Sequence, residues 1–348
     1  MELEILELDR TSMKFYKDCF DQNDNPRDMR LIDWQFFQNN AKIITTIAYD
    51  PVAKRTAGIY ASYSVRFKVD GKEHLACHAV DLITDVHYRG KGLYTMLASN
   101  VFKKAEEQNM LFTYGIPNGN AIHGYRTKLA WVIMDPLPFL IKPLRTKYFT
   151  DKIKPLKFLP NINLSNPFAS KGSQKGFSIK KENMFPEAVN GIWDIFSERI
   201  KVAVIRDKEY LNWRYIQKPL EQYDIAHCYD KDNRYLGFVV YAVKEKHNGK
   251  IAYIMELVYD LNIPDSGKEL LKFAVNDIRK QKADCILSWC FEHSPNYKVL
   301  NKAFFLNMPE KLRPIEMHFG AKIYSQKLKD VIGDRSSWYI SYSDSDTV

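Results

Sequence analysis

The stretch 78–97, H-A-V-D-L-I-T-D-V-H-Y-R-G-K-G-L-Y-T-M-L, constrains this chain more than any other. Ala79, Val80, Leu82 and Ile83 form an apolar run with the pattern of a buried strand. Leu93, Met96, Leu97 and Val101 then recur at the spacing of one helix face. Between strand and helix lies Arg89-Gly90-Lys91-Gly92. That order predicts an anion cradle, because the first N–H groups of a helix have no internal partner and point where a phosphate can sit. Two glycines let the backbone approach a ligand with no Cβ in the way. Arg89 and Lys91 add positive charge beside them.

The surroundings predict a twisted antiparallel meander that leads into this stretch. Residues 2–8 alternate as a strand, 12–20 read as a short helix, and 33–40 as a helix that brings Trp34, Phe36 and Phe37 together toward a site. Strands are expected at 43–49, 57–67 and 73–83, separated by Asp50-Pro51 and by Asp70-Gly71, the latter a strong hairpin signal. A helix at 93–108, a strand at 111–116, a capping loop at 117–120 and a strand at 131–134 follow. From 136 the texture changes. Residues 136–160 mix prolines, apolar residues and lysines, and 161–176 are rich in Asn, Ser and Gly, so 136–185 reads as a connection whose basic part can touch a membrane surface peripherally.

The second half repeats the order of elements. Helices are expected at 187–196 and 206–215, strands at 223–229, 235–244 and 250–259, then a helix at 267–280, a strand at 285–291 and a helix at 297–307. Terminal strands are expected at 318–325 and 338–343. Only the architecture repeats, because 261–268 carries no paired-glycine cradle.

A length of 348 residues suits two domains. The net charge of +9 favours an anionic partner. Nucleic acid is not expected, since no helix clusters Arg and Lys and no aromatic nucleic-acid motif occurs. The five cysteines are scattered without a C-x-x-C pair, which excludes a disulfide framework and a structural zinc site and leaves no metal expected. The N-terminus alternates acidic and apolar residues, unlike a signal peptide, and no run approaches the ~18 apolar residues of a membrane helix. A cytoplasmic protein without stable membrane insertion is expected.

At Arg89-x-x-Gly92-x-Tyr94 the chain resembles the GNAT superfamily of acyl-CoA-dependent N-acyltransferases, whose signature ends in a small residue where Tyr94 stands. Asn118-x-x-Ala121 leading to Lys128-Leu129-Ala130-Trp131 is similar to that family's closing run. The resemblance covers 1–135, and the second half looks like a degenerate GNAT-type domain. It implies an α+β fold of two GNAT-like domains, each a mixed, mainly antiparallel twisted sheet flanked by helices. The divisions are 1–135 with the acyl-CoA site, the connection 136–185, and 186–348. It implies acetyl-CoA as co-substrate, with its pyrophosphate on Arg89, Gly90, Lys91, Gly92, Leu93 and Tyr94, its pantetheine arm on the backbone of Leu82 and Thr84, and Asn118 nearby. Tyr125, seven residues after Asn118, is the implied acid. His78 is the preferred base with Asp81 beside it, on opposite faces of the strand, and His123 and Glu73 are reserves. Trp213-Arg214-Tyr215 and Asp344-Ser345-Asp346 are candidates for an acceptor site between domains. The implied activity is acetyl-CoA-dependent N-acetyl transfer to a primary amine by direct attack on the thioester; a small-molecule acceptor such as an amino sugar or nucleotide sugar is expected, and a small amine, a peptide N-terminus or a lysine stays open. The alternative is a non-catalytic module that binds CoA or a polyanion. The oligomeric state stays open.

Overall fold

Apolar alternation on both sides of Asp70-Gly71 builds the longest hairpin of the molecule. Both turn residues take positive φ, 48° and 79°, the geometry whose twist matches that of flanking strands. The computed structural model describes residues 2–345 apart from 152–154, 156, 165–175, 247, 311–312 and 314. In the first half, β1 (Glu4–Glu7), α1 (Met13–Asp21) and α2 (Met29–Phe37) precede β2 (Thr46–Asp50), β3 (Arg55–Val69) and β4 (Lys72–Thr84). Then come α3 (Leu93–Glu107), β5 (Phe112–Gly115), α4 (Ile122–Thr127) and β6 (Val132–Ile133).

The stretch read as a connection contributes structure of its own: β7 (Phe139–Pro143), α5 (Lys147–Thr150) and β8 (Phe177–Lys181). It is followed by α6 (Ala188–Ser197), β9 (Val202–Val204), α7 (Lys208–Leu211) and one π-helical turn (Asn212–Ile216). The meander β10 (Asp224–Asp230), β11 (Tyr235–Lys246) and β12 (Gly249–Tyr259) leads to α8 (Pro264–Lys280), β13 (Cys285–Trp289) and α9 (Pro295–Lys302). The described elements end with β14 (Leu306–Asn307), β15 (Gly320–Ile323) and α10 (Lys329–Gly333). The expected strand at 338–343 is instead irregular, with short 3₁₀ turns at Arg335–Ser337 and Tyr342–Asp344.

Two mixed, mainly antiparallel sheets result, in the orders β1-β2-β3-β4-β5-β15-β6, with β9 added to β3, and β14-β7-β13-β12-β11-β10-β8. Each sheet contains one parallel pair, β4 with β5 and β12 with β13. Strands cross between the halves: β7 from the connecting stretch pairs with β13 of the second half, while β15 from the second half pairs with β5 of the first. Neither sheet is completed by its own half.

Aromatic packing joins the halves. Trp34 on α2 and Trp213 in the π-helical turn stack at 4.7 Å and 13°. Each indole N–H donates to the other residue's carbonyl, at 2.9 and 3.2 Å. Both rings are buried, so this pair satisfies two indole donors in the place where water is excluded. Trp338 packs edge-on against Phe67 and Phe112 of the first sheet, and Tyr342 stacks on Trp289 of the second. The segment 338–345 therefore lies between the sheets. Truncating Trp34 to Ala is expected to lower denaturant stability by about 3–5 kcal/mol. The double variant with Trp213→Ala is expected to cost less than the sum of the two single changes, because they share one contact.

Candidate active site

The site begins where two parallel strands separate. β4 and β5 pair only at Cys77↔Thr113 and His78↔Tyr114. Immediately after, β4 bulges: Ser62 faces Ala79 and Ala61 faces Asp81, leaving Val80 extra. A bulge bends its strand and changes the alternation of side chains. The expectation that His78 and Asp81 face opposite sides is corrected for this reason. Asp81 accepts hydrogen bonds from Tyr16 and Arg27, His78 meets Tyr63, and the Tyr16, Phe36 and Tyr63 rings touch in sequence on that one face. On the other face Cys77 and Leu82 join Leu93, Leu97 and Tyr125 under α3. On β5, a Cβ at Gly115 would stand 3.3 Å from the Ala79 carbonyl, so only glycine fits easily where the strands begin to part.

The cradle lies beyond the open end of β4. Asp85 caps the turn Val86–Tyr88 through the His87 amide at 2.9 Å, and Arg55 holds the same carboxylate at 2.7 Å. Burial pushes the Asp85 pKa upward, but Arg55 and the His87 amide outweigh it, and the net shift is downward. Tyr88 donates to Asp50 at 2.8 Å. Beyond this anchor, Gly90 and Gly92 take φ of 78° and 75°, and a Cβ on either would meet nothing within 4 Å. The amides of 90–94 have no hydrogen-bond partner among the described residues. Arg89 and Lys91 are exposed, their side chains resting on the carbonyls of Thr84 and His87 at 3.2 and 3.1 Å. Open amides, unobstructed space over both glycines and two cations suit a pyrophosphate.

Between α3 and α4 stand Tyr94, Tyr125 and Trp131. Tyr94 occupies the position where a small residue was expected, and Gly124 makes room for it: a Cβ there would be 2.8 Å from the Tyr94 hydroxyl. Tyr125 is buried with its ring 4.5 Å from that of Trp131. The Tyr60 hydroxyl lies alongside that of Tyr125 without a hydrogen bond of good geometry. Burial, then the Asp81 charge, raise the Tyr125 pKa to about 12 against a lowering contact from Tyr60. The Tyr60 and Tyr94 hydroxyls and the Trp131 indole N–H are buried without partners. Buried polar groups are normally satisfied, so three orphans around one tyrosine mark a place for a polar ligand. Asn118 turns its side-chain oxygen to the amides of Asn120 and Ala121 at the start of α4.

On the opposite face, His78 stacks on Tyr114 at 4.6 Å, and its Nδ1 lies 3.1 Å from the Tyr63 hydroxyl. Both Asp81 oxygens are engaged, one by Tyr16 and one by Arg27. His123 is exposed on α4, and Glu73 is paired with Arg66. Arg214 is buried against the carbonyls of Ser343 and Ser345, and Asp344 is held by the buried Arg206, while Asp346 lies outside the described residues. Tyr63 is absent from the sequence reading, although the Asp70-Gly71 turn carries the signal. Counting outward from Val69 opposite Lys72 brings Tyr63 opposite His78.

Residues 10–128 match the family model of the acetyltransferase (GNAT) domain. This part of the chain is a GNAT domain. No curated protein sequence matches the chain. Among solved structures, Saccharomyces cerevisiae N-myristoyltransferase with bound myristoyl-CoA aligns with a TM-score of 0.62 at 13% identity, over 93% of this chain and 80% of that one. A probable N-acyltransferase of Enterococcus faecalis V583 aligns with a TM-score of 0.60 at 12% identity, over 93% of this chain and 72% of that one. These likenesses extend the GNAT-like fold over both halves. Among the described residues, no helix is long and apolar enough to cross a membrane and no cluster of metal-ligating side chains occurs. A Gly92→Glu change in the GNAT cradle is expected to abolish coenzyme A binding in calorimetry, since it puts a carboxylate where the anion sits and a side chain at a φ of 75°. A folded variant with wild-type affinity would show the cradle to be misassigned.

Proposed function

We propose that the protein is an acetyl-CoA-dependent N-acetyltransferase acting on a primary amine such as an amino sugar or nucleotide sugar. The observation that carries this reading is the gap between β4 and β5, open toward the cradle and flanked by His78 on one face and Tyr125 on the other. The amides of 90–94 with Arg89 and Lys91 would hold the pyrophosphate. The unpaired edge of β4 around Leu82 and Thr84 would hold the amide-rich arm, as an added strand is held. When bound, the co-substrate supplies an activated acyl carbon on a good leaving group. Tyr60, Tyr125 and Trp131 crowd the α3 side of the gap, which favours a short acyl group.

An amine must lose a proton before it can attack, and the departing sulfur gains one. The new bond is C–N, and the bond that breaks is C–S. In this reading His78 takes the amine proton through Tyr63, whose hydroxyl lies 3.1 Å from the histidine and whose ring packs against Trp213 of the second half. Tyr125 would protonate the sulfur from the other face. Asp81, tied to Arg27 and Tyr16, is a positioning residue for the histidine face.

The test is thiol release from acetyl-CoA against an amine panel. Acetyl-CoA binding without turnover on any amine would favour a binding module instead. Tyr125→Phe is expected to keep acetyl-CoA affinity and lose about 10²–10⁴-fold in kcat. With its pKa raised to about 12, the Tyr125 hydroxyl stays protonated below that pH. The kcat profile should therefore show no falling limb from this group between neutrality and about pH 10, the ordinary tyrosine range. A limb at that pH, lost in Tyr125→Phe, would contradict the assignment.

A further inference from the structure

A cavity of about 400 Å³ lies away from the cradle, where the end of α2, β3 and the π-helical turn converge. That size is typical of small-molecule sites. Its apolar floor includes Tyr63 and Trp213, whose rings are 5.9 Å apart, and Tyr63 is the residue that touches His78. The cavity and the β4–β5 gap thus share one wall. A π-helical turn lining a cavity is itself a common mark of a functional position.

The rim decides what the cavity can take. Asn212 and Gln217 present side-chain carboxamides with no partner among the described residues, and each can both donate and accept. Arg66 is neutralised by Glu73 and Asp207. What remains is Lys42 against Glu209, one charge of each sign, with Glu209 held by Asn40 at 3.2 Å. A rim of amides with no excess cation favours hydroxyls over phosphates. The two aromatic rings stand at 73° to each other and form an apolar corner that suits the C–H groups of a sugar ring, and Glu209 suits an ammonium. An extended peptide is disfavoured, because one edge of β3 is paired with β4 and on the other the Ser64 amide is already bonded to Lys42 and the Arg66 carbonyl to Ile205.

We infer that this cavity is the acceptor site and that it takes an unphosphorylated amino sugar, with Asn212 and Gln217 reading hydroxyls and Glu209 receiving the amine. This rests on the acyltransferase reading only for the fate of the amine; binding can be measured without turnover. The test is calorimetry on the full chain, with and without coenzyme A, using glucosamine, galactosamine and mannosamine, with glucosamine 6-phosphate and a short peptide for comparison.

At least one hexosamine is expected to bind in preference to its phosphate and to the peptide. Asn212→Ala, Gln217→Ala and Glu209→Gln should each weaken it about three- to tenfold, with coenzyme A affinity unchanged. Gln217 and Glu209 are exposed, so these variants are expected to fold even if Asn212→Ala does not. No hexosamine binding, binding insensitive to these substitutions, or preference for the phosphate or the peptide would overturn the inference. Hexosamine binding without any coenzyme A binding would instead refute the acyltransferase reading and leave the cavity assignment standing.

Discussion

The proposed site depends on β4 and β5 parting after two paired residues. Continued pairing would have satisfied both strand edges and left a closed sheet. The extra residue Val80 bends β4 away, and Gly115 lets β5 pass close to Ala79 before the strands separate. The result is a strand edge with backbone groups available to a ligand. The same bulge that opens the gap also brings His78 and Asp81 to one face, so opening and side-chain placement have one cause.

The second sheet has the same skeleton and a different outcome. β12 carries an equivalent bulge, with Tyr241 opposite Ile254 and Val240 opposite Glu256, and it pairs with β13 over only three residues. There the gap is filled from within. Glu256 accepts hydrogen bonds from Tyr339, Ser341 and Arg206, and Tyr342 stacks on Trp289 at 4.2 Å. Only a residual cavity of about 10 Å³ remains. Arg206 is fully buried between Glu256 and Asp344. Burial pushes the Asp344 pKa up, and the neighbouring Arg206 pulls the other way. Removing one member of such a group leaves an uncompensated buried charge, which ties the final segment firmly to the second sheet. The second half contributes β15, Trp213 and the π-helical turn to the surroundings of the first sheet.

Much of the GNAT half was legible in the sequence because its signals are local. Glycines that need positive φ announced the cradle, Asp70-Gly71 announced the hairpin, and the apolar periodicities of the central strands and α3 marked the rest. The register was also legible, since the turn fixes Tyr63 opposite His78. The placement of β7 and β15 was not, because five- and four-residue strands carry no information about which sheet they complete. The bulge at Val80 was equally silent: no residue type there demands it. The meeting of Trp34 with Trp213 across 179 positions is a tertiary event, although both tryptophans lay in stretches whose aromatic content pointed toward a site.

The central claim is that an acyl-CoA occupies the β4–β5 gap with its pyrophosphate on the glycine cradle. A crystal structure of the full chain grown with coenzyme A tests it most directly. The prediction is pyrophosphate oxygens within hydrogen-bonding distance, about 2.7–3.2 Å, of amides among Gly90–Tyr94, with the pantetheine arm along the free edge of β4 and its sulfur beside Tyr125. Coenzyme A bound elsewhere, with those amides facing solvent, would contradict it.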